Sequence, residues 1–502
     1  MLGSNSTRHL AAGTYLDADF RNAVLHELLG RRDQAVAPAF STDAVPVVRH
    51  ALNARRHQLV RDAVLTGILL LFLVVEGRVL LAVLLLAGAF LLVMRALRAL
   101  VRLRVGTALA LLIPIVILLI AAAALADSGS NLISLSGSSD PYETQRSFGS
   151  LAVEVLGVLV VLLGAAWTTV VVQRLIGRQT ILDRLMPETF DPAESPTGPK
   201  GRQARIRYIA AAQTGNVTYY PQDGTGQPFV GAGTPQHTWT RTVPLVLTST
   251  GGSALTTESL RDALSVGLAR LNDEVLQSDE VSVQDRLVTP AVGGDPWADS
   301  VTGLLRHRLP PEELDRLTQV ETTGTYRYLS VRTAPGRGDY EIWVFVRCLV
   351  HGQTLHLDLI ECCLPPVRAL YRDIDQYPSS GRGVVLRTAL GTLPELPGLL
   401  LRAPLRLAMA AVGRDRSPDD LRDWLRQFGA SGSSGRGARA SVRELGTDQD
   451  SGNLLTGLAM QRPIRVIEQR VLEIIAAELD QSGYDAEEFR RRTQAVLDGP
   501  AQ

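Results

Sequence analysis

Apolar residues are not spread evenly along this chain. They gather in runs at 63–75, 79–94, 105–125 and 151–172, and charge crowds the segments around them. At 1.5 Å per residue the last two runs reach roughly 30 Å, enough to cross a hydrocarbon core. The first two are shorter, about 20–24 Å, and only Glu76, Gly77 and Arg78 part them. The pattern predicts an α-helical membrane region over 63–172, its four apolar segments folded as two hairpins.

Arginine placement orients that region. Arg49, Arg55, Arg56 and Arg61 precede the first run, Arg95, Arg98, Arg102 and Arg104 follow the second, and Arg174, Arg178 and Arg184 follow the fourth. The intervening turn and the 127–150 loop contribute only Arg78 and Arg146. Eleven arginines against two put both termini in the cytoplasm of a multi-pass protein of the cell membrane. Read alone, 63–94 fits one helix, two tight spans or a re-entrant hairpin; a single crossing would strand one arginine cluster outside. Arg49, Arg55, Arg56, Arg95, Arg98, Arg102 and Arg104 are placed to meet anionic headgroups of the lipid bilayer. Glu76 and Glu154 sit near span ends, where interfacial solvation explains them more simply than a proton or cation path.

Outside the membrane region the periodicities change. Residues 1–62 form an N-terminal helical and basic segment, with Phe20, Val24 and Leu28 on one stripe of a helix over 14–29. Residues 173–202 are a linker, rich in Pro and Gly from 187 onward. Residues 203–426 read as a cytoplasmic α+β domain with an antiparallel sheet. It begins with a hairpin of 204–212 and 216–220 around Thr214-Gly215, followed by a strand at 242–247 and a helix at 255–272. A second helical stretch covers 297–317, restarting at Pro310-Pro311. Strands follow at 326–333, 341–350 and 353–364, the last two joined at His351-Gly352. That register puts Ile342, Val344, Val346 and Cys348 on a core face with Leu355, Leu357 and Leu359. Trp343, Phe345, Arg347, His356 and Asp358 take the other face, with Arg347 opposite His356.

The apolar stretch 384–412, broken by Pro394, Pro397 and Pro404, suits either short helices on the membrane surface or a buried core segment. A flexible linker is expected over 427–456, then a helical tail over 457–502 with Ile464, Ile467, Val471, Ile474 and Ile475 inward.

Composition narrows the chemistry. With 51 basic and 51 acidic residues the chain has no global attraction to nucleic acid. Its only lysine, Lys200, lies in the linker, which excludes Schiff-base, P-loop and kinase chemistry. Cys348, Cys362 and Cys363 lack metal or redox spacing and read as buried free thiols in a reducing compartment. The N-terminus carries Asp17 and Asp19 and no apolar core of a signal peptide. His26-Glu27-Leu28-Leu29-Gly30 lacks the second histidine of a zinc helix, and Cys348 and His356 point to opposite sheet faces, so no metal or cofactor is expected. The stretch 223–233 fails both the dinucleotide and P-loop patterns, leaving a Gly-hinged loop with an exposed Phe229 as a binding candidate with Gly231 and Gly233. The weak catalytic candidates are Arg347, His356 and Asp358, with Asp373 and Asp375 in a nearby acidic pair.

Tyr15-Leu16-Asp17, Val24-Leu25-His26-Glu27-Leu28, Ala35-Val36-Ala37-Pro38 and the arginine-rich 47–56 resemble a group of uncharacterised bacterial membrane proteins common in GC-rich genomes. Gly215-Asn216-Val217-Thr218, Gln227-Pro228-Phe229-Val230-Gly231 and Ile467-Glu468-Gln469-Arg470 extend the likeness over most of the chain. One departure is the tail, which stops at Gln502. The resemblance implies the architecture and no activity. The reading is a non-enzymatic membrane-anchored binding, signalling or scaffold protein with a cytoplasmic protein partner. The alternatives are an enzyme using the Arg347, His356 and Asp358 face, and a small transporter or channel.

Overall fold

Strands with alternating apolar residues need their apolar face covered before they are stable, and the chain meets that need with segments far apart in sequence. The computed structural model describes residues 2–30, 34–39, 41–75, 85, 88–90, 92–96, 111–121, 141–221, 227–248, 254–271, 281–291, 298–299, 302–319, 324–334, 340–376, 382–411, 436–447 and 454–497. The chain divides into two units. One comprises Met1–Leu52, Leu185–Gln376 and Ala430–Gln502, the other Asn53–Arg184 and Tyr377–Gly429.

The first unit is built on a six-stranded sheet of β1 (Val217–Pro221), β2 (Thr234–Pro244), β3 (Ser282–Ala291), β4 (Tyr326–Thr333), β5 (Glu341–His351) and β6 (Thr354–Leu364). Its order is β1-β3-β4-β5-β6-β2. Only the β1/β3 pair is parallel, so the sheet is mixed rather than wholly antiparallel. The expected hairpin at 204–220 is replaced by a helix, Gln203–Ala212, leading into β1. Its Ile206, Ile209 and Ala212 recur every three residues, a helical period that buries one stripe. Strand β3, absent from the sequence reading, carries the buried run Leu287, Val288 and Thr289. A strand buried on both faces loses the alternation that reveals half-buried ones.

The hairpin joining β5 and β6 turns at Gly352-Gln353, one position later than the sequence suggested. His351 therefore pairs with Thr354, and Arg347 faces Asp358 while Leu349 faces His356. Gly352 has φ +59°, as a primed two-residue turn requires. The slip preserves parity, so the inward face is as expected. Val344, Val346, Leu355, Leu357 and Leu359 meet three helices there: α1 (Thr257–Ala269), α2 (Leu454–Gln481) and α3 (Ala486–Leu497). Thr256 caps α1 in a reciprocal pair with Ser259, and Leu260, Leu264 and Leu268 form its buried stripe. Each buried leucine adds about 1.5–3 kcal/mol. Gly483 at φ +78° follows the end of α2, and Asp485 accepts from the amides of Glu487 and Glu488 to start α3.

The N-terminal segment belongs to the same unit. Helix Leu2–Leu16 ends at Asp17, which caps the next helix, Ala18–Leu25, through the amides of Asp19 and Phe20. The Tyr371 hydroxyl donates to Asp17 at 2.7 Å, and Arg8 pairs with Asp375 at 2.5 Å. Residues 436–447, within the stretch read as a flexible linker, pack here too: the Ala35 amide donates to the Arg436 carbonyl, and Ser441 and Glu444 form a capping box.

In the second unit the long helices Ala44–Val75 (from residue 53) and Pro141–Arg184 pack with a helical stretch from Arg382 to Ala411. Leu65, Leu69, Leu162, Ala166, Val170, Leu396, Leu400 and Ala403 are its buried cluster. Among the described residues, three helices are long and apolar enough to cross a membrane: Ala44–Val74, Val160–Arg184 and Gly383–Ala411. The third falls in the stretch that sequence alone left between a surface and a core role. Leu111–Ala121, inside the third apolar run, is a shorter apolar helix. The turn at 76–78, most of the second run, Arg98, Arg102, Arg104, Arg146's side chain, Glu154's side chain and the 122–140 loop lie outside the described residues, and with them the two-hairpin arrangement.

Candidate functional site

The outward face of the sheet carries the chemistry that the sequence singled out. Trp343 and Phe345 on β5, Tyr328 on β4 and Ile360 and Cys362 on β6 form an apolar surface. Phe229 closes over it, 8% exposed, with its ring 4.5 Å from Phe345 and 5.4 Å from Tyr328. The expectation of an exposed Phe229 is therefore corrected: the ring is core, because the sheet face beneath it is aromatic and otherwise bare.

Gly231 and Gly233 hold that loop in place, at φ +99° and +87°. A Cβ at Gly231 would stand 2.4 Å from the Pro38 carbonyl oxygen, and one at Gly233 2.1 Å from that of Cys363. Their amides donate to one carboxylate oxygen of Glu444, at 2.8 and 3.0 Å. The other oxygen accepts from the Ser441 amide at 2.7 Å. The pair of glycines thus binds a buried side chain of the same chain. Burial raises the Glu444 pKa, opposed by the three amide donors.

The catalytic candidates do not converge. Arg347 pairs with Asp358 at 3.5 Å and lies 4.7 Å over the Tyr326 ring. His356 bonds instead to the hydroxyls of Thr242 at 3.1 Å and Thr354 at 3.4 Å. Asp375 is held by Arg8 and by His9 at 2.9 Å. Burial lowers the His9 pKa despite that carboxylate. Cys348 has its pKa pushed to about 12 by burial and Cys363 to about 11, so neither is a ready nucleophile.

Three charged groups were missed from sequence. Arg286 on β3 is buried at the edge of the aromatic surface, 5.6 Å over the Trp343 ring, and burial lowers its pKa to about 9. It lines a small cleft with Thr218, Phe229, Val230, Ala232, Val288, Trp343 and Phe345. On the inward face, Glu361 of β6 hydrogen-bonds Glu468 of α2, which also accepts from Trp239 Nε1 at 3.0 Å. Burial, then the hydrogen bond and charge of Glu468, raise Glu361 to about 8, so this pair shares a proton at neutral pH. The available signal was an acid in an otherwise apolar inward register, Glu361 beside Leu359.

No curated protein and no solved structure matches this chain. A family described as the AbeC-like domain matches residues 238–502, from within β2 through the outward aromatic face, the apolar stretch and the C-terminal helices. That is just over half of the 502 residues, and the chain belongs to the AbeC-like domain family.

Proposed function

We propose that this chain is a multi-pass protein of the cell membrane whose folded unit lies in the cytoplasm and serves as a non-enzymatic binding or scaffold module. The carrying observation is the interleaving of the first unit. Residues before the first apolar run, between the runs and Gln376, and after the 377–429 insert share one fold, tied by pairs such as Arg8 with Asp375 and Ala35 with Arg436. A folded unit cannot straddle a bilayer, so each apolar insert must cross an even number of times. Eleven arginines against two then favour the cytoplasm for that unit. Internal pairing of Arg347, Asp358 and Asp375 supports a binding role over catalysis. A protein partner and anionic headgroups, the latter reached by exposed Arg56 and Arg95, are the partners this reading proposes.

Compartment reporters test it. Fused before Met1, after Arg184 and after Gln502 of the full chain, all three are expected to report the cytoplasm. A reporter after Arg184 that is active outside the cytoplasm refutes the reading.

A further inference from the structure

Gly383–Ala411 is long enough to span a membrane, yet its surroundings do not suit a crossing. The 377–429 insert that contains it joins Gln376 to Ala430, both in the first folded unit, so a crossing would need a return path through 412–429. That segment carries Arg414, Asp415, Arg416, Asp419, Asp420, Arg422, Asp423 and Arg426, eight charges in 18 residues. Each charged residue at the centre of a span costs about 2.5–3.5 kcal/mol or more. A crossing would also set Glu395, with a 52% exposed side chain, near the bilayer midplane.

Ion pairs within the second unit give its attitude independently. Glu395 pairs with Arg174 at 2.5 Å, and Arg406 with buried Asp62 at 3.5 Å. Arg61, which also pairs with Asp62, donates to Gln173, so 61–62 and 173–174 form one polar belt where the apolar runs of the two long helices stop. Residues 395 and 406 are both held to this belt, although eleven residues of helix, about 16 Å, separate them. Residues 395–406 therefore run across the long helices, whereas Ala389 and Glu395 are tied in turn to Trp167 and Arg174 along one of them. Leu386, Leu390, Leu393 and Leu405 remain 47–61% exposed, like Leu70, Leu71, Leu156 and Val160 of the long helices.

We propose that Gly383–Ala411 stays within one leaflet rather than crossing the bilayer, its exposed leucines in the acyl chains and Glu395 and Arg406 at headgroup level. The proposal rests on the membrane reading above and deepens it by naming the surface that meets lipid. It makes this stretch a lateral brace on the two long helices, with Trp167 Nε1 donating to the Ala389 carbonyl at 2.9 Å as a further tie.

The test uses the full chain in native membranes, with Ser379→Cys or Ser417→Cys and wild type as the labelling blank. An impermeant maleimide is expected to reach both positions from the same side. Nitroxides attached at Leu386→Cys, Leu390→Cys and Leu405→Cys should report lipid contact within the same leaflet, no more than about 15 Å from the headgroups. Opposite-side labelling overturns the proposal. So does a depth difference between 386 and 405 approaching the 28 Å or so that nineteen helical residues would give, and so do nitroxides in water. Release of the unmodified chain by alkaline carbonate would refute the membrane reading itself, an outcome distinct from the other three.

Discussion

Removing the Glu444 carboxylate is the sharpest perturbation of the outward face. Its oxygens accept from the amides of Gly231, Gly233 and Ser441, and both glycines are buried. Glu444→Ala leaves three amides without that acceptor, at about 1–3 kcal/mol for each buried unpaired group. Allowing for partial water entry, a loss of about 3 kcal/mol is expected, which is roughly a hundredfold in a local opening equilibrium. The assay is hydrogen exchange on the full chain, followed at Gly231 and Gly233 with β6 as an internal reference. Exchange of the two amides should accelerate about a hundredfold, while β6 at Leu357 and Leu359 changes far less. Glu444→Gln keeps one carbonyl oxygen for the glycines and should show a smaller effect, provided its amide nitrogen turns toward Ser441. Unchanged exchange at Gly231 and Gly233 in Glu444→Ala would refute the claim that this carboxylate fixes the loop.

Three further outcomes follow from the same geometry. Phe229→Ala should destabilise the first unit by about 3–5 kcal/mol, as for other buried Phe truncations, read as a lower denaturation midpoint by Trp fluorescence; an unchanged midpoint would restore the exposed-loop reading. The Glu361 pKa is raised in the fold to about 8 from 4.5, so its contribution is fully present below about 4.5 and is lost as pH rises through 8. Glu361→Gln should flatten the fall in melting temperature over that window, and an identical pH profile would contradict the shared proton. Gly352→Ala should cost about 1–2 kcal/mol through backbone strain alone, since nothing lies within 4 Å of the new Cβ; thermal melts that match wild type would place the turn elsewhere.

What could be read from sequence was whatever had a local period. The β5 and β6 faces, the Thr256-capped helix and the inward stripe of Ile467, Val471 and Ile475 were legible because alternation or a 3.6-residue period is written within a dozen residues. The hairpin register missed by one turn position because parity survives a slip of both strands together, so the core pattern gave no warning. Phe229 looked exposed because its loop is polar and glycine-rich, while its cover, the aromatic triad of Tyr328, Trp343 and Phe345, lies about a hundred residues away.

The same distance hides the feature on which the topology depends. Arg8 and Asp375 are 367 residues apart and Gln34 and Gly437 are 403 apart, yet each pair is hydrogen-bonded. No local pattern announces such contacts, and composition alone makes 436–447 resemble a linker. Their consequence is kinetic as well as topological. The Gly231–Gly233 loop lacks its Glu444 acceptor, and the 35–39 segment its Arg436 carbonyl, until the last 70 or so residues are made. On the proposed membrane reading, both apolar inserts must by then have returned their flanks to one side, because the contacts that complete the sheet's outer cover come from either end of the chain. On that reading, membrane insertion and folding of the sheet unit are a single linked problem, in which a misplaced insert withholds an entire layer of the core.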